Sequence, residues 1–160
     1  MEAARNAEAV RWAVSRLSSR LRAQQSGGEL PLTRVAASVL ANLRHGGPLT
    51  VTALAAIEGL QPQSLTRVLH TLTAEGRVSR SPDDHDRRAQ RLAITSAGRA
   101  ALDVHVRDGN RWLAGAMDAA LTPAEREIVR VAAGLLLQVA EHDGDGEGDG
   151  DDDGDAAGRG

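Results

Sequence analysis

One continuous stretch constrains the fold more than any other part of the chain. Residues 49–78, LTVTALAAIEGLQPQSLTRVLHTLTAEGRV, contain two apolar patterns of helical period on either side of Gly59. The first pattern predicts a short helix over about 52–58, with Thr50 or Thr52 as its N-cap. Gly59 then ends this helix, because glycine adopts the left-handed backbone that follows many helices.

A longer helix is predicted after this break. It begins near Gln61 and Pro62, where proline suits the first turn, and it ends at Glu75-Gly76. Its inward positions are Leu65, Val68, Leu69 and Leu72. A short helix, a glycine turn and a longer helix form the helix-turn-helix pattern.

The exposed side of this second helix carries side chains that can read DNA. In a helix-turn-helix, the N-terminal part of the second helix enters the major groove, where glutamine pairs with adenine and arginine with guanine. Ser and Thr hydroxyls can reach phosphates or base edges. The candidate residues are Gln61, Gln63, Ser64, Thr66 and Arg67. The alternative is a polar face that only contacts solvent.

A charged loop follows, in the segment SPDDHDRRAQRLAIT at 81–95. Short extended segments at 78–80 and 91–94 flank it and predict a β-hairpin. Arg87 and Arg88 fall at the tip, where they could enter a minor groove, whose narrow form concentrates negative potential. Asp86 is close enough to orient an arginine. The alternative is a solvated charged turn.

Amphipathic helices flank this central region. Residues 2–25 place small and apolar residues at alternating steps of four and three, which predicts a helix that contacts a second chain or, alternatively, its own core; these are Ala3, Ala7, Val10, Val14, Leu17 and Leu21. A second helix follows Pro31 and ends at His45-Gly46-Gly47-Pro48, with Val35, Val39, Leu40 and Leu43 inward.

Two further helices are predicted after the hairpin. One begins at Thr95 to Gly98 and runs toward Leu121, with Leu102, Val106, Leu113 and Met117 as its apolar positions. In the other, Thr122, Pro123 and Glu125 form a capping-box start. It ends near Glu141, and we expect its apolar residues to face inward: Ile128, Val131, Ala132, Leu135, Leu136 and Val139.

Composition and charge exclude several classes of protein. Cysteine is absent, which excludes disulfides and thiolate catalysis, and no apolar stretch is long enough to span a membrane. Residues 143–160 hold eight acidic residues and one arginine and are predicted to be a disordered tail, whereas residues 1–142 hold 18 arginines against 14 acidic residues. The five histidines lack metal-ligand spacing, although His85 lies among aspartates. We therefore expect a cytoplasmic protein that is not an enzyme and has no metal or cofactor.

The segment GPLTVTALAAIEGLQPQSLTRVLHTLTAEGRVSRSPDDHDRRAQRLAITSAGRAAL resembles the winged helix-turn-helix of MarR-family transcriptional regulators. The wing motif Asp-x-Arg is present at Asp86-Arg87-Arg88, and a Thr-x-x-Gly helix start follows at Thr95 to Gly98. The resemblance covers about residues 8–141. It implies a dimer built from the first and the last two helices, which binds double-stranded DNA at a pseudo-palindrome. It also implies that Arg88 enters the minor groove and that Asp86 braces it.

These observations predict a mainly α fold, a winged helix-turn-helix with a small β-hairpin wing and long flanking dimerisation helices. Residues 1–30 and 96–142 would dimerise, and 31–95 would bind DNA. The predicted function is a dimeric, sequence-specific regulator that acts as a repressor; the alternative is a winged-helix protein-interaction module that does not bind DNA. A small-molecule effector would bind near Trp12, Arg16 and Trp112, unless both tryptophans belong to the core.

Overall fold

The computed structural model describes residues 2–24, 32–83 and 90–142. It is mainly helical with a small antiparallel sheet, which confirms the predicted fold class. In chain order, the elements are α1 (Glu2–Ala23), α2 (Arg34–His45), β1 (Leu49–Thr50), α3 (Val51–Glu58), α4 (Pro62–Ala74), β2 (Val78–Pro82), β3 (Gln90–Ile94), α5 (Ser96–Ala120) and α6 (Pro123–Ala140). The predicted acidic tail, 143–160, lies outside the described residues.

The core lies where α2, α3 and α4 meet the sheet and the first turns of α5. Local signals set the helix ends: the Thr33 and Thr50 hydroxyls accept hydrogen bonds from the first turns of α2 and α3, and Gly59 ends α3 with a φ of 61°. Leucines supply most of the buried volume, including Leu40, Leu43, Leu54, Leu65, Leu69, Leu72 and Leu92. Val35 and Val68, expected to face inward, are only partly buried at the edge of this core.

The sheet has three strands in the order β1-β3-β2, all antiparallel. The hairpin of β2 and β3 confirms the prediction, with Val78 opposite Ile94 and Pro82 opposite Gln90. The short strand β1 was not predicted. Its two residues pair with Leu92 and Arg91, more than 40 positions later, and a pairing between such distant residues has no local sequence signal.

The start of α5 is fixed against the turn between α4 and β2. The Thr95 hydroxyl donates to the Gly76 carbonyl (2.7 Å) and accepts from the Gly98 amide (3.1 Å). A Cβ atom at position 98 would lie 2.2 Å from the Arg77 carbonyl oxygen. Only glycine allows this approach, which explains the Thr-x-x-Gly pattern seen in the sequence.

The terminal helices differ from this core. Among their described residues, neither α1 nor α6 has a buried one. The expectation that the apolar residues of α6 face inward is therefore wrong for the single chain: Ile128, Val131, Leu135, Leu136 and Val139 are exposed, and Ala132 is partly exposed. A helical repeat identifies an apolar face, but it does not say whether the same chain covers it.

The chain divides into two compact units, Met1–Ala116 and Met117–Gly160. In the second unit, the Thr122 hydroxyl and the Glu125 carboxylate form the predicted capping box at the start of α6. The hydrogen bonds that Glu125 accepts from the Thr122 backbone and hydroxyl lower the pKa of this carboxyl. No helix in the described ranges is long and apolar enough to cross a membrane.

Candidate nucleic-acid interface

Helix α4 is anchored on one side and open on the other. Leu65, Leu69 and Leu72 follow one another at steps of four and three, and each is at most 1% exposed. Such a stripe holds the helix by apolar burial along its whole length. The opposite face is therefore presented by a helix whose rotation about its own axis is fixed.

All five predicted reading residues lie on the exposed side of α4 or at its N-terminus: Gln61, Gln63, Ser64, Thr66 and Arg67. Gln63 and Arg67 are one turn apart, as their spacing predicted. The Thr66 hydroxyl donates to the Pro62 carbonyl (3.3 Å), so it approaches a partner mainly as an acceptor. Residues 62–74 contain no Asp or Glu, so this face carries no charge that repels phosphate.

The exposed face of α4 includes one residue that was not among the five predicted from the sequence. His70 is exposed and lies three and four residues beyond Arg67 and Thr66. It therefore continues the same face by one turn. Extending the i, i+3 and i+4 spacing past Arg67 would have found it.

A polar contact that sequence analysis missed joins α2 to the end of α3. One carboxylate oxygen of Glu58 accepts from the Ser38 hydroxyl (2.6 Å) and from the Asn42 side-chain amide (2.7 Å). Hydrogen bonds to a carboxylate are stronger than those between neutral groups. They hold α3 at the residue just before the Gly59 turn, and that turn sets the direction of α4. A single glutamate at the end of the apolar segment VTALAAIE was the available signal.

The strands of the wing present further polar groups. Arg80 on β2 donates to the Gln90 side chain on β3 (3.2 Å) and to the Thr73 hydroxyl of α4 (3.4 Å). These contacts connect the wing stem to the helix that precedes it. The predicted wing residues Asp86, Arg87 and Arg88 lie outside the described residues, as do Asp84 and His85, so their roles stay predictions.

The residues assigned to an effector pocket line neither of two cavities found among the described residues. Trp12 is 70% exposed in the single chain, so it does not belong to the core of that chain as the alternative expected. Trp112 is partly buried, and the guanidinium of Arg20, rather than that of Arg16, lies 5.2 Å from its ring centre. The assignment of Trp12, Arg16 and Trp112 to a ligand stays a prediction.

A cavity of about 380 Å³ lies instead between α2 and α4. Its walls are largely apolar, and Arg67, Glu75 and Arg77 supply its charged groups. The Glu75 carboxylate pairs with Arg77 at 3.2 Å. In the described ranges, no group of three or more His, Asp or Glu residues is placed to hold a metal ion.

Comparison with known proteins decides the family. A model described as the MarR family matches residues 32–89, which run from the start of α2 into the wing. An HTH-type transcriptional regulator from Mycobacterium tuberculosis is 34% identical over 138 residues, which cover 86% of this chain and 94% of that relative. The chain belongs to the MarR family. It is therefore a transcriptional regulator with a winged helix-turn-helix, from a family of DNA-binding regulators and not of enzymes.

Solved structures match the fold of this chain over most of its length. A transcriptional regulator from Pseudomonas aeruginosa is 28% identical, with a TM-score of 0.62 over 87% of this chain and 96% of that one. A MarR-family protein from Bacillus stearothermophilus has a TM-score of 0.66 over 85% of this chain and 93% of its own, at 21% identity. This second likeness concerns the fold alone.

Proposed function

We propose that this MarR-family regulator is a homodimeric repressor that binds a pseudo-palindromic operator through α4. The observation that carries the proposal is the exposed face of α4, which bears Gln63 and Arg67 and no acidic residue. A helix diameter fits the major groove, and the leucine stripe behind this face would fix its orientation there.

Each proposed contact has a distinct chemical role. Gln63 would pair with adenine through its amide, and Arg67 would donate two hydrogen bonds to guanine. Gln61, Ser64 and Thr66 would contact phosphates or neighbouring base edges and so fix the register of the helix. Specificity then depends mainly on two side chains that are one turn apart.

The wing supplies the second part of the proposed interface. Arg87 and Arg88 would approach the minor groove beside the half-site, and Asp86 would hold the guanidinium of Arg88 in position. Lying directly between β2 and β3, these residues would extend from a stem that is attached to α4 through Arg80.

Exposed apolar rows support the dimer. Val10, Val14 and Leu17 are each more than 40% exposed on α1, and α6 exposes seven large apolar residues, five of which were predicted to share one face. Such faces are typical of surfaces that another chain covers. We assign residues 1–30 and 96–142 to dimerisation and residues 31–95 to DNA. A two-fold dimer places its two reading helices on half-sites about 34 Å apart, one turn of DNA.

The remaining parts of the proposal concern regulation. A dimer that covers an operator blocks other proteins, so repression follows where the operator overlaps a promoter. A small-molecule effector near Trp12, Arg16 and Trp112 would relieve it. The acidic tail, with a net charge of −7, would compete with DNA for the wing arginines. Such a regulator would act in the cytoplasm, where bacterial DNA lies.

Selection of bound duplexes from a random DNA pool tests the proposal directly. We expect an enriched sequence with two-fold symmetry and half-sites about one helical turn apart. An asymmetric site would contradict the dimer, and an absence of enrichment would contradict sequence-specific binding.

The alternative is a winged-helix module that contacts only proteins. It differs from the main proposal in its response to salt, because DNA binding releases counterions. Retention on heparin that is lost as salt increases favours DNA binding. An absence of retention at low salt favours the protein-interaction module.

A further inference from the structure

Arg91 makes two contacts that no role assigned so far explains. It lies on β3, the central strand, opposite Thr50 of β1 and Ser81 of β2. One terminal nitrogen of its guanidinium donates to the Pro48 carbonyl at 2.8 Å. The other lies 3.7 Å from a carboxylate oxygen of Asp83.

These two partners belong to different parts of the winged helix-turn-helix. Pro48 follows the turn that ends α2 and precedes β1 and α3, so it belongs to the entry of the helix-turn-helix. Asp83 follows the last residue of β2, where the hairpin leaves the sheet. Its side chain is only 10% exposed, although it is charged. Arg91 therefore connects the start of the wing, after β2, to the segment that leads into the helix-turn-helix of α3 and α4.

We propose that Arg91 is a positioning residue that fixes the direction of the wing relative to α3 and α4. The inference rests on the proposed function, because it concerns how two DNA-reading elements are held in one geometry. An arginine suits this role, since its planar fork of donors can bind a carbonyl and a carboxylate together. A lysine at this position keeps the charge but offers no such fork.

The positioning role and simple charge repulsion predict opposite changes in DNA affinity when the charge of Asp83 is removed. An aspartate near DNA repels phosphate, so removing its charge should strengthen binding if nothing else changes. If Asp83 instead acts through Arg91, removing its charge loosens the stem and weakens binding. Asp83→Asn therefore separates a positioning role from a purely electrostatic one.

The first measurement is affinity for the selected operator. We expect Arg91→Ala and Asp83→Asn each to weaken binding by about threefold to tenfold, the scale of one lost hydrogen bond or ion pair, and Arg91→Lys to behave like Arg91→Ala. Arg107→Ala is the matched control for charge, because it removes the same charge from an exposed position in α5; its mass in solution is measured beside its affinity, since α5 belongs to the proposed dimerisation region. Tighter binding by Asp83→Asn, or full affinity in Arg91→Lys, would overturn the positioning role.

A double-mutant cycle with Arg88→Ala tests whether Arg91 acts through the wing. If it does, Arg91→Ala costs little once Arg88 has been removed. If Arg91 instead contacts a phosphate itself, the two effects multiply, and the slope of log affinity against log salt falls by about one further unit. That outcome would overturn the inference and leave the proposed function intact.

A measurement without DNA separates the inference from the proposed function. Backbone hydrogen exchange at 78–83 and 90–94 should become faster in Arg91→Ala and Asp83→Asn, while α2 and α4 keep the exchange rates of the parent protein. Unchanged exchange in the two strands would overturn the inference. If the parent protein selects no DNA but the strands respond as expected, the proposed function fails and the positioning contact stands.

Discussion

The winged helix-turn-helix core and the terminal helices use the same residue types in opposite ways. In α2 and α4, leucines at helical spacing are almost completely buried by neighbouring elements of the same chain. In α1 and α6, the same spacing produces rows that remain exposed, with Leu17 at 41% and Leu135 at 54%. The difference lies in what covers the apolar face, and not in the face itself.

This contrast separates two kinds of stability. The core loses its apolar contacts only when the chain unfolds, so its stability should be a property of one molecule. Under the proposed dimer, the terminal rows gain contacts from a second copy, so their contribution should depend on protein concentration. Substitutions placed in each region can test this division.

The largest effect is expected from a charge on the α1 row. Leu17→Asp removes an apolar side chain that a partner would cover and places an unpaired carboxylate at the contact in both copies. Because an uncompensated buried charge costs several kcal/mol, we expect association to weaken by about 3–6 kcal/mol. The variant should be a monomer at low micromolar concentration, as determined by light scattering. Ser19→Asp is the control, because it adds the same charge to the opposite face of α1. A Leu17→Asp protein that stays dimeric would place the interface elsewhere.

A matched pair of leucine truncations compares the two regions directly. Leu69→Ala should reduce the free energy of unfolding by about 2–5 kcal/mol, because Leu69 is fully packed and its removal leaves a cavity. The loss should be equal at low and high protein concentration. Leu135→Ala makes the same chemical change at an exposed position and should show an effect that varies with concentration. Denaturant titrations at two concentrations measure both. Equal behaviour of the two variants would contradict the division.

Gly98→Ala should show how tightly the core holds the start of α5. The new methyl group would lie 2.2 Å from the Arg77 carbonyl oxygen and 2.9 Å from Ile94 Cγ1, so we expect a loss of about 1–3 kcal/mol in unfolding free energy. Gly115→Ala is the control on the same helix, where nothing lies within 4 Å. It should stabilise the helix by about 0.5–1 kcal/mol. A Gly98→Ala protein as stable as the parent would show that α5 can shift without cost.

Arg67→Ala should separate DNA reading from assembly. We expect a loss of about 1–3 kcal/mol on the selected operator and a much smaller loss on a scrambled duplex, with the mass in solution unchanged. Fluorescence anisotropy on both duplexes gives the specificity ratio. An equal loss on both duplexes would assign Arg67 to the phosphate backbone and leave base reading to other residues.

The smallest effect is expected at the start of α6. Thr122→Ala removes the cap and should cost about 1 kcal/mol of helix stability, seen as faster hydrogen exchange in the first turn, whereas Thr122→Ser should restore the parent rate. The lowered pKa of Glu125 determines how the stability of this first turn changes with pH. Its contribution is complete above the pKa of a solvated glutamate, 4.5, and is lost as the pH falls through the lower folded value. A first turn that is insensitive to both changes would show that partner contacts, and not the cap, hold it.

Local signals explain what the sequence could predict. The Thr50 and Thr122 caps, the Gly59 turn and the leucine face of α4 each depend on residues within one or two turns of each other, and the structure agrees with all of them. The Thr-x-x-Gly motif is also a local signal, because Thr95 and Gly98 belong to a single turn. Its resemblance to the family motif made it possible to predict the winged helix-turn-helix fold.

Contacts between distant residues explain what it could not. Strand β1 exists only through its pairing with β3, and the Arg91 contact to Pro48 joins residues 43 positions apart. Glu58 likewise receives its partners from α2, and no period or spacing in the sequence identifies Ser38. The exposure of α6 could not be predicted for a different reason: a helical repeat identifies an apolar face but does not say what covers it.

The placement of the two tryptophans has a practical consequence for spectroscopy. The chain has no Tyr or Phe, so its near-ultraviolet fluorescence comes from Trp12 and Trp112 alone. Trp12 lies in water on α1, and Trp112 lies on α5 beneath Arg20. Tryptophan emission therefore reports on α1 and α5, while helices α2 to α4, which lie between them in the sequence, contribute no signal. Circular dichroism records all the helices. A difference between the fluorescence and circular dichroism unfolding curves would therefore show that α1 and α5 unfold separately from the rest of the chain.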